Sequence, residues 1–254
     1  MYEDILNKKV LITGSSSGIG FEIAKSFSDA GAFVVLNGRN KNKLEKAAKH
    51  VLNSKTIYGN VEDSKVAKKI VSKAVFLLKG LDIIVCNVGS GKSAKPGMEN
   101  YQDWQTSLKK NFFSATNIIE ASKKHLIKSK GNIICISSIC GSEYIEGAPI
   151  TYSVVKSALN SYVKMSSKIL GKKNVRINAI SPGNIFFKGS DWEKKIKKNK
   201  KIIMKNINSN VALKKFGNPK SIADICLFLA SEKSNFTTGS VWIADGGQVK
   251  QLNY

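Results

Sequence analysis

The segment Val10-Leu11-Ile12-Thr13-Gly14-Ser15-Ser16-Ser17-Gly18-Ile19-Gly20 decides the fold of this chain, because it joins an apolar run directly to a glycine-rich loop. Residues 10–13 are typical of a buried strand, and residues 18–30 have the periodicity of a helix that Gly31 ends. Glycines at such a junction let the backbone approach a pyrophosphate, whose charge is stabilised by the free N–H groups at the helix N-terminus. The spacing is GxxxGxG, which differs from the GxGxxG fingerprint of the usual Rossmann dehydrogenases. The segment predicts a dinucleotide site, and the alternative interpretation is an ordinary Gly/Ser turn.

Apolar runs and amphipathic helical patterns alternate along the rest of the chain, with no linker or repeat between them. Continuous β-branched strands separated by helices indicate a parallel sheet that is covered on both faces. We predict an α/β fold, one doubly wound Rossmann-type domain over residues 1–254, with a seven-stranded parallel sheet and helices on both faces. The predicted strands are 10–13, 33–37, 56–58, 81–87, 132–138, 175–181 and 241–245. The predicted helices are 18–30, 42–52, 65–78, 101–124, 152–171 and 222–231.

The chain carries a large positive charge, with a formal net charge of +23 and a hydrophobic content of 42%. Nearly all of this charge is lysine, since Arg39 and Arg176 are the only arginines, and it is spread along the chain. We therefore expect no specific nucleic-acid binding, for which a clustered basic tract is typical. Codon bias is equally compatible with a composition rich in Lys, Asn and Ile.

Neither a membrane span nor a leader is expected. No apolar run approaches about 18 residues, and the first residues lack the apolar core of a signal peptide. We expect a cytoplasmic protein. Its cysteines, Cys86, Cys135, Cys140 and Cys226, have no CxxC spacing, so we interpret them as reduced packing residues and expect no metal site.

Tyr152 and Lys156 place a phenol and an ammonium four residues apart. On a helix such residues share a face. A cation about 4 Å from a phenol, at an effective dielectric of about 20, favours the phenolate by about 4 kcal/mol, or about three pKa units. The pair predicts acid/base chemistry, and the alternative is an ordinary half-buried helix face.

These motifs, taken in order, resemble those of the short-chain dehydrogenase/reductase family. The glycine loop has the family's spacing, and Tyr152 and Lys156 match its YxxxK pair. The further matches are Asn60-Val61, Cys86-Asn87-Val88-Gly89, Asn111, Ser137-Ser138-Ile139-Cys140-Gly141, Ser181-Pro182-Gly183, Phe236-Thr237-Thr238-Gly239 and Asp245-Gly246-Gly247. Cys86 and Val88 depart from the family's Asn-Asn-Ala-Gly motif. The resemblance covers essentially the whole chain, and it is closest in appearance to the 3-oxoacyl-(acyl carrier protein) reductase-like members.

The resemblance implies an oxidoreductase that interconverts a carbonyl and a secondary alcohol, with Asn111, Ser138, Tyr152 and Lys156 as its catalytic tetrad. Tyr152 is expected to exchange a proton with the substrate oxygen, and Ser138 to hold that oxygen. Lys156 is expected to lower the pKa of Tyr152 and to hold the nicotinamide ribose, and Asn111 to help bind a water that passes protons from Lys156 to solvent. The implied cofactor-binding residues are Gly14, Ser16, Ser17, Gly18, Ile19, Gly20, Arg39, Asn60, Val61, Asn87, Gly89, Tyr152, Lys156, Pro182, Gly183 and Ile185.

The residues at the end of the second predicted strand indicate which cofactor is preferred. An acid there would bind the ribose 2′-hydroxyl of NAD, whereas an arginine suits the 2′-phosphate of NADP. The chain has Leu36-Asn37-Gly38-Arg39-Asn40, with an arginine and no acid. NADP(H) is therefore favoured over NAD(H).

The substrate side is expected at about residues 186–214, where the family has its substrate-covering helices. Phe187 stands where the family commonly has a Thr near the carboxamide. The segment contains Trp192 and the lysine-rich run 194–201. We interpret this run as a solvated helix face, and the alternative is an entrance that attracts acidic substrates such as phosphopantetheine thioesters.

The expected partners are a small carbonyl or alcohol substrate and further copies of the chain. The family's members are usually tetramers, so the resemblance implies a homotetramer or homodimer. The rival function is a dinucleotide-binding scaffold with lapsed catalysis or a basic nucleic-acid-binding protein. The presence of all four tetrad residues favours the enzyme.

Overall fold

A computed structural model describes residues 2–250, and its centre is one parallel sheet in the order β3-β2-β1-β4-β5-β6-β7. The strands are β1 (Lys9–Ile12), β2 (Phe33–Gly38), β3 (Ser54–Tyr58), β4 (Ile83–Cys86), β5 (Asn132–Ile136), β6 (Arg176–Pro182) and β7 (Val241–Ala244). The helices are α1 (Gly18–Asp29), α2 (Lys41–Ala48), α3 (Ser64–Leu78), α4 (Tyr101–Leu108), α5 (Ser114–Ser129), α6 (Ile150–Leu170), α7 (Asp191–Asn210) and α8 (Pro219–Ala230). The predicted range 1–254 also includes Met1 and residues 251–254, which lie outside the described residues.

Alternate side chains of each central strand enter two separate cores. Leu11 and Ile84 pack on one face of the sheet beneath α3, α5 and α6. Ile12 and Val85 pack on the other face beneath α1, α2 and α8. Burial on both faces explains why the sequences of the strands are continuous apolar runs. The predicted doubly wound, seven-stranded fold is confirmed.

The strand order reverses between β1 and β4, and this reversal positions the site. In doubly wound sheets a crevice opens at such a point, outside the carboxyl ends of the strands. The predicted strands 81–87, 132–138 and 241–245 each extended too far, because the structure ends them at Cys86, Ile136 and Ala244. The residues that follow leave the ladder and form the walls of the crevice.

The predicted helix 101–124 is found, but it is not a regular α-helix throughout. The chain forms a π-helical turn at Lys109–Phe113, between α4 and α5, and α5 continues to Ser129. A π turn adds one residue to a helix and leaves the apolar pattern on each side intact, so periodicity does not reveal it.

The start of α6 also differs from the prediction, because the helix begins at Ile150 and not at Tyr152. The carboxylate of Glu99 accepts the Ile150 N–H at 2.6 Å. This bond satisfies an N–H group of the first turn from a residue 51 positions away, a contact that the sequence does not reveal. Tyr152 consequently lies within the first turn of α6.

α7 occupies the segment that was expected to cover the substrate. Its backbone leaves the helical conformation at Asn199, and the Asn199 side chain accepts the Ile202 N–H at 3.1 Å. Asn199 thereby caps the second half of the helix. Within residues 2–250, no helix combines the length and the apolarity that crossing a membrane requires.

Candidate active site

The glycine loop after β1 is shaped to leave its backbone accessible. Gly14 and Gly18 have φ values of +63° and +61°, the left-handed region that favours glycine. Asn87 Nδ2 donates to two carbonyls of the loop at 3.1 Å each. A Cβ on Gly20 would lie 2.3 Å from that nitrogen, so a side chain does not fit there. Ser17, before α1, makes no side-chain cap, which leaves the N–H groups of the first turn available to an anion.

A cleft of about 620 Å³, the cofactor cleft, extends from this loop across the carboxyl ends of the strands. Among the residues predicted to bind the cofactor, those that line it are Gly14, Ser16, Ser17, Ile19, Gly20, Arg39, Asn60, Val61, Asn87, Gly89, Tyr152, Lys156, Pro182, Gly183 and Ile185. Gly18 does not line it, because Phe187 covers it. A Cβ on Gly18 would lie 2.6 Å from Cζ of the Phe187 ring.

Two cationic side chains line the cofactor cleft beside the end of β2. Arg39 Nη1 lies 3.2 Å from Glu62 Oε1, and the Arg39 side chain is 58% exposed. Lys43, in the first turn of α2, lines the same cleft. The sequence prediction did not include Lys43. Its position could have indicated it, because Lys43 lies three residues after Asn40, a residue type that commonly caps a helix. In the structure Asn40 caps α2 by accepting the Lys43 N–H at 2.9 Å.

The π-helical turn holds Asn111 against the segment that follows β4. Asn111 is 1% exposed, its Oδ1 accepts the Ser90 N–H at 2.8 Å and its Nδ2 donates to the Ser90 carbonyl at 3.1 Å. A Cβ on Gly89 would lie 3.0 Å from Asn111 Oδ1 and 3.2 Å from Lys156 Nζ. Asn111 and Lys156 are therefore close neighbours on either side of Gly89. The role of Asn111 in binding a water stays a prediction.

The environment of Tyr152 differs from the expectation. Desolvation of the phenol raises the pKa of Tyr152 to about 12, although a hydrogen bond with Ser138 acts in the opposite direction. Lys156 Nζ lies 5.9 Å from the centroid of the Tyr152 ring and donates to the Ile136 carbonyl at 2.8 Å. The pKa of Tyr152 is therefore raised and not lowered in this structure, because desolvation of the phenol is the largest effect on it.

Burial also shifts Lys156. Its side chain is 2% exposed, and desolvation lowers the pKa of Lys156 to about 8. The thiols of Cys135, Cys140 and Cys86 lie near enough to act in the opposite direction. All four cysteines are free; Cys86, Cys135 and Cys226 are buried, whereas Cys140 is partly exposed and lines a second cleft.

Gly141 allows the Ser138 segment to approach α6. A Cβ on Gly141 would lie 2.6 Å from the backbone carbonyl carbon of Lys156, a distance at which no side chain fits. Asn160 Nδ2 donates to the Gly141 carbonyl at 3.1 Å and fixes this approach from the next turn of α6. The glycine three residues after Ser138 therefore sets the distance between Ser138 and the Tyr152 turn.

A second cleft, the substrate-side cleft, adjoins the first and has a volume of about 1190 Å³. Ser138 and Tyr152 line both clefts, so the clefts meet at these hydroxyls. α7 contributes Trp192 and Ile207 to the second cleft, and the Trp192 ring packs edge-on against Phe216 with centroids 5.2 Å apart. A molecule in this cleft has access to Tyr152 beside the cofactor cleft.

Known proteins resemble this chain over nearly its whole length. The family model described as enoyl-(acyl carrier protein) reductase matches residues 14–248. The 3-oxoacyl-(acyl-carrier-protein) reductase of Chlamydia trachomatis is 35% identical over 254 residues, which cover 96% of this chain and 98% of the relative.

Solved structures resemble the fold equally closely. L-Sorbose reductase from Gluconobacter frateurii, complexed with NADPH and L-sorbose, has a TM-score of 0.93 and 29% identity, with 99% of this chain and 100% of that chain covered. A 7α-hydroxysteroid dehydrogenase, complexed with NADH and 7-oxo glycochenodeoxycholic acid, has a TM-score of 0.89 and 26% identity, with 98% and 97% covered. These relatives bind different nicotinamide dinucleotides and different carbonyl compounds.

Proposed function

The chain belongs to the short-chain dehydrogenase/reductase family, and on this premise we propose that it reduces 3-oxoacyl thioesters with NADPH, with Tyr152 as the proton donor. It is an oxidoreductase of carbonyl and CH–OH groups that uses a nicotinamide dinucleotide. The observation that carries the proposed mechanism is the meeting of two clefts at Ser138 and Tyr152. The choice of a 3-oxoacyl substrate is supported by the reductases that this chain resembles at up to 35% identity.

The cofactor cleft suits a dinucleotide because its glycine loop offers backbone N–H groups at a place where side chains do not fit. Ser16, Ser17 and the first turn of α1 would hold the pyrophosphate. Asn60 and Val61 would contact the adenine, and Pro182-Gly183 and Ile185 the nicotinamide. When bound, the nicotinamide ring supplies or accepts the hydride at its C4.

Tyr152 gives its phenolic proton to the carbonyl oxygen of the substrate while the new C–H bond forms at the carbonyl carbon, and the product is the secondary alcohol. The Tyr152 phenol is protonated at neutral pH, but its raised pKa makes it a weak acid, so proton transfer needs a nearby cation that stabilises the phenolate. Ser138 donates a hydrogen bond to the same oxygen and holds it in register. Lys156, with a pKa of about 8, is still an ammonium at neutral pH and stabilises the phenolate that proton transfer leaves behind.

Arg39 and Lys43 support the preference for NADPH. Both line the cofactor cleft beside β2, where the adenosine ribose would lie, and lysine and arginine are the side chains that bind phosphate. Glu62 competes for Arg39, but an exposed ion pair contributes at most about 1 kcal/mol, so a phosphate can displace it.

An exposed apolar face of α6 supports a homo-oligomer, either a tetramer or a dimer. Val154, Met165 and Ile169 are 48%, 72% and 73% exposed on this helix, and Phe113 beside α5 is 43% exposed. Apolar surface of this kind is typical of protein interfaces. Light scattering during size-exclusion chromatography should give a mass of two or four chains, and a monomer at micromolar concentration would refute this assembly.

The proposed activity is tested by NADPH oxidation against 3-oxoacyl thioesters, simple ketones, L-sorbose and a 7-oxo steroid. The expected result is the highest kcat/KM for the thioesters. Higher efficiency with a sugar or a steroid would refute the thioester assignment. A nucleic-acid titration at two salt concentrations serves as the counter-test, since salt-sensitive binding without turnover on any substrate would favour the rival function.

A further inference from the structure

The substrate-side cleft has more positive than negative side chains along its lining. The lysines that line it are Lys92, Lys194, Lys195, Lys198 and Lys250, and the acids are Glu143, Glu146 and Asp191. Three of the five lysines belong to the first half of α7, before the break at Asn199. One face of this half-helix therefore brings a concentrated positive charge to the cleft.

The acids nearest to these lysines do not neutralise all of them. Asp191 Oδ1 lies 3.6 Å from Lys92 Nζ and 3.9 Å from Lys194 Nζ. Within residues 2–250, Lys195 and Lys198 make no ion pair with a carboxylate, and Lys195 Nζ instead lies 4.6 Å from the centroid of the Trp192 ring. These two ammonium groups are available to an anionic ligand.

Apolar side chains line other parts of the same cleft. Ile139, Ile145, Ile203 and Ile207 contribute to it, and the exposed ring of Tyr144 adds aromatic surface. The lining also includes the Ser138 and Tyr152 hydroxyls, where the cofactor cleft begins. This lining suits a ligand with an apolar acyl part, a reactive carbonyl and an anionic end.

We propose that Lys194, Lys195 and Lys198 form an anion site that binds the phosphate of a phosphopantetheine arm, whose acyl thioester then reaches Tyr152. This inference rests on the proposed function. Lysine binds phosphate as a point charge, and a concentration of one sign of charge at a cleft also speeds the arrival of an oppositely charged substrate. Coenzyme A and an acyl carrier protein both supply this phosphate, so the experiment must separate these two sources.

The test uses a triple variant, Lys194→Gln with Lys195→Gln and Lys198→Gln. The second half of α7 offers a matched control, Lys200→Gln with Lys201→Gln and Lys205→Gln, because these lysines are not part of the cleft lining. Both variants lose three positive charges from the same helix. The NADPH dissociation constant of each variant, measured by fluorescence, verifies that the cofactor cleft is intact.

Three thioesters of one 3-oxoacyl group are compared, carried by coenzyme A, by an acyl carrier protein and by N-acetylcysteamine, which has no phosphate. The cleft variant should lose about tenfold or more in kcat/KM for the phosphate-bearing substrates. The kcat/KM of the cleft variant for the N-acetylcysteamine thioester should stay within about twofold of wild type. The kcat/KM of the control variant should stay within the same range for all three thioesters. In the wild type, the advantage of the phosphate-bearing thioesters should shrink as salt screens the lysines.

The pattern of losses assigns the source or overturns the site. Losses for both phosphate-bearing substrates support a shared phosphate site, and a loss for coenzyme A alone assigns that carrier. A loss for the carrier protein alone overturns the site, because the lysines would then contact the surface of the carrier. Equal losses on all three thioesters, or none, also overturn it while leaving the proposed function intact. If the wild type reduces none of them, the proposed function fails and the anion site fails with it.

Discussion

Replacing Arg39 with Ala should lower the preference for NADPH over NADH roughly tenfold. A hydrogen bond to a charged group contributes about 1.5–3 kcal/mol, and an arginine offers two of them to a phosphate. Two features of the structure reduce the free energy that Arg39 contributes to phosphate binding. The Arg39 side chain is 58% exposed, so solvent weakens the interaction, and its ion pair with Glu62 must be given up at a cost of at most about 1 kcal/mol. A net loss of about 1–2 kcal/mol corresponds to a factor of roughly 5–30.

Glu62→Gln tests the role of Arg39 in the opposite direction. It removes the competing carboxylate, so Arg39 binds the 2′-phosphate without first losing an ion pair. The NADPH preference should rise by up to about fivefold, the equivalent of about 1 kcal/mol.

The assay measures kcat/KM for NADPH and for NADH at one ionic strength with one carbonyl substrate. Lys41→Ala is the matched control, because it removes a positive charge two residues from Arg39, at the start of α2, from a residue outside the cleft lining. An unchanged ratio of the two efficiencies in Arg39→Ala would show that Arg39 does not select the 2′-phosphate. A Lys41→Ala variant that changes the ratio as much would also exclude this role, because a general field effect would then explain the result.

Three further substitutions probe the geometry of the site. Gly141→Ala should lower the free energy of unfolding by about 1–3 kcal/mol and reduce kcat, because the new Cβ collides with the Lys156 backbone. A wild-type melting temperature together with wild-type turnover would contradict this prediction. Lys156→Met tests the lowered pKa of Lys156. Between pH 8 and 10.5 Lys156 is protonated in the unfolded state but largely neutral in the folded state. The free energy of unfolding of the wild type should therefore rise with pH over this window, and this gain is lost as pH falls through about 8. Denaturant unfolding at pH 7 and pH 10 should show the wild type gaining about 3 kcal/mol relative to the variant, and a pH-independent difference would be inconsistent with a buried cation. Phe187→Thr uncovers Gly18 and should lower the NADPH dissociation constant, measured by fluorescence titration, roughly two- to tenfold, the effect of one added hydrogen bond. A higher dissociation constant would mean that the Phe187 ring supports the cofactor.

Much of the site could be predicted from sequence because its signals are local. The glycine loop and Ser138 follow the ends of β1 and β5, and Asn111 and the Tyr152 turn lie on helices that pack beside those strand ends. A parallel sheet brings the carboxyl ends of its strands to one edge, so these motifs had to converge once the fold was recognised. The fold and the family membership that they indicated are confirmed.

What the sequence did not reveal depends on contacts between distant residues. The pKa of Tyr152 follows from desolvation by several packed segments, and no pattern within one helical turn measures that. Phe187 reaches Gly18 across 169 positions, counted from 18 to 187, and closes over a loop that was expected to be open. α7 also leaves the helical conformation at Asn199, so that Lys194, Lys195 and Lys198 lie before the break and Lys200 and Lys201 after it.

In the proposed mechanism Tyr152 supplies the proton at the place where the two clefts meet. Tyr152→Phe tests this role, because it removes only the hydroxyl and keeps the ring. We expect kcat with the best thioester to fall by about 10²–10⁴, the contribution typical of a positioned general acid. The NADPH dissociation constant should stay within about twofold. A Tyr152→Phe enzyme that binds NADPH and reduces the substrate at the wild-type rate would show that Tyr152 is not the proton donor.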